Sequence, residues 1–132
     1  MTYATADDLA ACDFLPTGIT APTGADAARL LSRASRAVDG ILRRAVYDVD
    51  DDGLPTDSGV ITAVRDATCA QACWWLETGD EAGVASSLDS LGAGSGPYIH
   101  GSLPRVAPDA VEVLRLAVDS VGNPILTGPW QP

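Results

Sequence analysis

The residues of this chain best suited to chemistry lie in Asp48-Val49-Asp50-Asp51-Asp52-Gly53, which reads as the opening of a D-x-D-x-D-G calcium loop. Carboxylates at alternate positions, followed by a turn-forming glycine, can wrap oxygen ligands around a hard cation. The twelfth position counted from Asp48 is Gly59, where a calcium loop needs a bidentate glutamate to close the site. Asp48, Asp50 and Asp52 are at best weak calcium ligands, of millimolar affinity. A solvated acidic turn is the favoured reading.

Other constellations are thinner. Cys69 and Cys73 stand four apart on one helix face, and His100 is the single histidine. Two thiols and one imidazole fall short of the four ligands of a structural zinc site. Free cysteine is commonly a small apolar filler, so core packing is expected for the pair and a surface position for His100. No serine sits in a G-x-S-x-G elbow, and Gly92-Ala93-Gly94-Ser95-Gly96 precedes no helix as a phosphate-cradling loop must. The residues therefore predict no enzyme and no cofactor. Arg29, Arg33, Arg36, Arg43 and Arg44 form a basic stripe that reads as a solvated helix side or an intersubunit face rather than a nucleic-acid face.

The elements that must position these residues follow from caps and periodicity. Thr5 caps a short helix from Ala6, with Asp7 and Asp8 against the positive end of its dipole and Leu9, Ala10 and Cys12 on its apolar side. Pro16 and Gly18 end it. From Ala25 to about Tyr47 an apolar stripe (Ala27, Leu30, Leu31, Ala34, Val38, Ile41, Leu42, Ala45) predicts a long helix, with Gly40 either weakening it or marking close packing against a neighbour. Asp57 or Ser58 caps a third helix that runs to about Thr78 and stops at Gly79. Its stripe is Ile61, Val64, Thr68, Ala72 and Trp75, widened by Val60, Ala67 and Trp74. Adjacent tryptophans diverge by about 100° on a helix, so one is expected in the core and the other at an interface.

Residues 80–105 are Ser- and Gly-rich and read as an excursion loop or weak β-hairpin. Pro108 opens a last helix carrying Ala110, Val113, Leu114, Ala117, Val118 and Val121, which stops at Gly122. No internal repeat is visible. The fold class expected is mostly α: a small bundle of three to four helices spanning 1–121, with an extended C-terminal tail at 122–132. A chain cut after Val121 should then stay helical and lose only its ability to assemble.

Composition narrows the role. The 132 residues suffice for one domain, and the formal net charge of −10 repels nucleic acid and anionic membranes. All eight basic residues are arginine, and the aromatic fraction is only 5%. The N-terminal stretch MTYATADDLAACDF lacks the basic and apolar regions of a secretory signal, and no apolar run approaches bilayer length. A cytoplasmic protein with its three cysteines reduced is expected.

The opening MTYATADDLAA, the segment DAARLLSRASRAVDGILRRAVYDVDDDGLPTD and above all VRDATCAQACWWLETGDEAG resemble the head–tail adaptor (connector) proteins of siphophages, particularly those of high-GC actinobacterial hosts. The late pattern, a Gly/Ser-rich stretch followed by APDAVEVLRLA and a GPW-containing tail, is also similar, so the resemblance spans nearly the whole chain. It implies a virion structural protein made in the host cytoplasm. Its place would be the head–tail junction, as a twelvefold ring between the portal protein and the head-closure or tail-terminator protein. Genomic DNA would pass through the channel without specific binding. Exposure logic assigns contacts to Tyr98 and Ile99 in the loop and to Ile125, Leu126 and Trp130 in the tail; Arg36 and Arg43 would meet the acidic loop of a neighbour. The rival readings are another head-closure or tail-completion ring protein, a weak calcium-binding helical module, and a small DNA-binding regulator using the arginine stripe.

Overall fold

The computed structural model describes residues 2–79 and 106–126. It is a small helical bundle, with four α-helices and no strand among the described residues. Helix α1 is Ala6–Ala10, α2 is Gly24–Ile41, α3 is Ser58–Thr78 and α4 is Pro108–Leu116. A single 3₁₀ turn, Leu42–Arg44, extends α2.

Helix α3 is the central rod. It runs antiparallel to α2, and α1 and α4 also pack on it. Two core clusters lie along its length. Towards its start, Val60, Val64 and Ala67 meet Val38 and Ile41 of α2 and Ala110 and Leu114 of α4. Towards its end, Cys69, Ala72 and Cys73 meet Leu30, Leu31 and Ala34 of α2 and Leu9 of α1. All seven residues from Ala67 to Cys73 are buried, because neighbours cover the whole circumference and only small or satisfied side chains fit there. The Thr68 hydroxyl donates to the Val64 carbonyl at 2.8 Å, which removes the cost of burying it.

Local chemistry sets the helix starts. Thr5 and Asp8 form a reciprocal capping box, Asp8 N–H donating to Thr5 Oγ1 at 3.2 Å and Thr5 N–H to Asp8 Oδ2 at 2.9 Å. Asp57 caps α3 and Gly79 ends it in the left-handed conformation, both where the sequence placed them. Ala10, expected on the apolar side of α1, is exposed, as is Ile61 on α3. Trp74 and Trp75 are both half-buried, each packed against a different core cluster. Gly40 has open space around it, so no packing among the described residues requires a glycine there. Gly40→Ala should raise stability by up to about 1 kcal/mol in chemical denaturation, and a loss would mean the face is not open.

Two boundaries differ from the sequence reading. Helix α2 ends at Ile41 instead of near Tyr47, and α4 ends at Leu116 instead of running to Gly122. Val118 and Val121 consequently lie outside α4 and are exposed. The tail assignment also changes. Ile125 is buried at 1% exposure in the α2–α3–α4 cluster, and half-buried Leu126 packs against it. Main-chain bonds hold the segment: Val46 N–H donates to the Ile125 carbonyl at 2.9 Å and Ile125 N–H to the Ala117 carbonyl at 3.3 Å. Residues 122–126 therefore belong to the folded unit, and Ile125 is a core residue rather than a free contact. The expectation for a chain cut after Val121 is reversed accordingly.

Candidate interaction surface

The acidic loop is one of two near-identical turns. Val49-Asp50-Asp51-Asp52-Gly53-Leu54-Pro55 and Val118-Asp119-Ser120-Val121-Gly122-Asn123-Pro124 share the pattern V-D-x-x-G-x-P. In each, valine and proline pair as an antiparallel bridge, and the glycine takes positive φ (80° and 99°). The aspartate N–H donates across the turn, Asp50 to the Leu54 carbonyl at 2.8 Å and Asp119 to the Asn123 carbonyl at 2.9 Å. Each Oδ1 then accepts two backbone N–H groups at 2.9 Å, from Asp52 and Leu54 in the first turn and from Val121 and Asn123 in the second. This short repeat corrects the expectation that the chain has none; in the first turn the pattern overlaps the calcium-like string.

This duplication explains Asp50. The second turn carries Ala117 and Val121 where the first carries Asp48 and Asp52, so the flanking carboxylates are not needed to form it. Asp50 Oδ1 is engaged with its own backbone. Among the described residues no group of three or more His, Cys, Asp or Glu is gathered to hold a metal ion, and Asp48, Asp50 and Asp52 are not brought together that way.

Asp57 joins the second turn to the start of α3. Its Oδ1 accepts from Gly59 N–H at 2.8 Å and Val60 N–H at 3.3 Å as the helix cap. The same carboxylate accepts from Ser120 N–H at 3.0 Å and from the Ser120 hydroxyl at 2.5 Å. Gly59 makes the approach possible, since a Cβ there would lie 2.8 Å from the Val118 carbonyl oxygen. The Ser120 side-chain hydrogen bond is the main cause holding the Asp57 carboxyl below its ordinary range, with the Ser120 backbone bond next. The sign follows. A lowered folded pKa stabilises the protein above the unfolded value, and that contribution is lost as pH falls through the folded one. Asp57→Asn should flatten the acid limb of a stability–pH curve, and an unchanged limb would show that Asp57 does not carry it.

The second turn and the segment of chain leading into the first, Val46–Asp48, face each other across a cleft of about 280 Å³ that is also lined by Asp57 and Val60 at the start of α3. The exposed large apolar side chains among the described residues gather at this end. They are Val46 (78% exposed), Val49, Val118 and Val121 (83%), with Leu116 at the end of α4 and Ile61 in the first turn of α3. Carboxylates rim them.

No family model, curated protein or solved structure matches the chain. Of the contact residues expected from the sequence, Arg36 and Arg43 are exposed on α2 and the 3₁₀ turn, and Leu126 is half-buried against the core. Tyr98, Ile99 and Trp130, like His100 and the 80–105 loop, lie outside the described residues. The surface positions of Val46, Val49, Val118 and Val121 are not predicted from the sequence; the repeated V-D-x-x-G-x-P string marks Val49, Val118 and Val121 as turn residues, while Val46 lies outside it.

Proposed function

We propose that this chain is a structural virion subunit of the head–tail adaptor kind, which docks through its twin-turn end and performs no catalysis. The reading rests first on the sequence resemblance. The observation that carries it furthest is the gathering of exposed valines at one end, on turns locked by aspartate hydrogen bonds and rimmed by carboxylates. Apolar side chains clustered on a preordered frame are the composition of a docking surface, since little ordering entropy remains to be lost on binding. The mostly helical fold favours the adaptor role over a head-closure role, which is more often filled by β-rich proteins. In a ring, the acidic first turn of one copy would face the exposed Arg36 and Arg43 of the next, and a net negative subunit would leave passing DNA unbound.

The test is to mix the full chain with the portal ring of its own phage and to follow cosedimentation and negative-stain images. An added layer of matching symmetry supports the reading; two folded proteins that never associate would overturn it. Val46→Asp and Val121→Asp should each leave stability within about 0.5 kcal/mol, because both side chains are already exposed, while removing the layer. A layer that survives both substitutions would move the docking surface elsewhere.

A further inference from the structure

We propose that Cys12 and Cys73 are a reversible thiol–disulfide pair that staples the segment after α1 to α3 when the protein meets an oxidant. Their Sγ atoms lie 3.7 Å apart although the residues are 61 positions apart in sequence. The contact spans two elements whose attachment matters: α1 has five residues, too few to hold itself, and it depends on α2 and α3 for its place. Cys69 belongs to the same cluster, four residues before Cys73 on α3.

Access divides the roles. Cys12 is half-buried and lines a surface cleft of about 430 Å³, open enough to admit a small thiol reagent. Cys73 is 1% exposed and does not line that cleft. Phe14 N–H donates to Cys12 Sγ at 3.3 Å. Burial pushes the other two thiols up, Cys69 to about 12, so both keep their protons until a partner sulfur is presented.

With a low-molecular-weight disulfide such as oxidised glutathione, the sequence of bonds is defined. The Cys12 thiol gives its proton to solvent and its sulfur attacks one sulfur of the reagent, forming a mixed disulfide and releasing a thiolate that takes up a proton as the first thiol. Cys73 attacks Cys12 Sγ, its proton passing to the departing sulfur of the reagent. The mixed disulfide breaks, a second thiol leaves, and the Cys12–Cys73 bond forms. The protein loses two electrons and two protons, and the reagent gains them as two thiols. If the virion reading holds, the dithiol belongs to assembly in a reducing cytoplasm and the disulfide to the released particle. The chemistry itself does not depend on that reading.

The experiment treats the folded full chain with oxidised glutathione and maps disulfide-linked peptides by mass spectrometry without reduction. The expected product links Cys12 to Cys73 and melts roughly 5–10 °C above the reduced protein, because the bond closes a long loop of the unfolded chain. Cys69→Ser should still form it. Cys73→Ala, checked for folding by circular dichroism, should stop at the mixed disulfide on Cys12, and Cys12→Ser should give neither product. A wild-type peptide map that links Cys12 to Cys69 would overturn the proposal, as would a map that shows only mixed disulfide or no reaction.

Discussion

Truncating Ile125 to alanine should cost about 2–5 kcal/mol of folding free energy, read as a lower midpoint in chemical denaturation. The side chain is 1% exposed and shares a cluster with Val38, Ile41, Val60, Val64 and Leu114, so its removal leaves a cavity where α2, α3 and α4 meet. Such a loss is a large part of the roughly 5–15 kcal/mol that holds a domain together. Deleting everything after Val121 should do more. It removes Ile125, the packed Leu126 and the acceptor of Val46 N–H, and it opens the second turn. The deleted chain should lose most of its helical circular dichroism. An Ile125→Ala variant within about 0.5 kcal/mol of the parent would show that the segment only rests on the bundle.

What could be read from the sequence was chiefly what local chemistry decides. Thr5 with Asp8, Asp57, and Gly79 set helix ends through bonds and dihedrals within a few residues, and the structure has them at those positions. The mostly helical class followed from the stripes of α2 and α3. The end of α4 did not, because Val113, Leu114, Ala117, Val118 and Val121 keep helical spacing past the point where the helix stops. There the Asp119 side chain offers the backbone a competing turn and Gly122 takes positive φ. Periodicity cannot detect such competition. The repeated turn motif could have done so.

The surface was less legible than the fold. Arg36 could be placed outside because it falls between the buried positions of α2, and Arg43 follows the buried Ile41 and Leu42 on the 3₁₀ turn that extends it. An apolar tail, by contrast, reads alike whether it docks on a partner or folds back into its own core, and for Ile125 the second holds. Val46 and Val121 come from distant segments. They share one end of the bundle because Val46 pairs with Ile125 and Asp57 binds Ser120, which are tertiary facts with no local signature.

The second large effect lies at Gln71, a polar side chain buried completely in the middle of α3. Its Oε1 accepts from Ala107 N–H at 2.8 Å, fixing the chain just before α4 begins. Gln71→Leu keeps nearly the same volume but leaves that buried N–H without an acceptor, which should cost about 1–3 kcal/mol. Gln71→Glu separates the hydrogen bond from packing. A protonated glutamic acid keeps an acceptor for Ala107 and a donor in place of the amide, so near pH 4, close to the ordinary glutamate pKa, the variant should approach the parent. Burial raises the carboxyl's folded pKa above its unfolded value, so stability relative to the parent should fall as pH rises between the two and stay low above. The leucine variant should instead trail the parent equally at both ends of that range. If leucine matches the parent, or glutamate shows no such slope, the Gln71–Ala107 bond does not hold α4 to the central helix, and packing alone does.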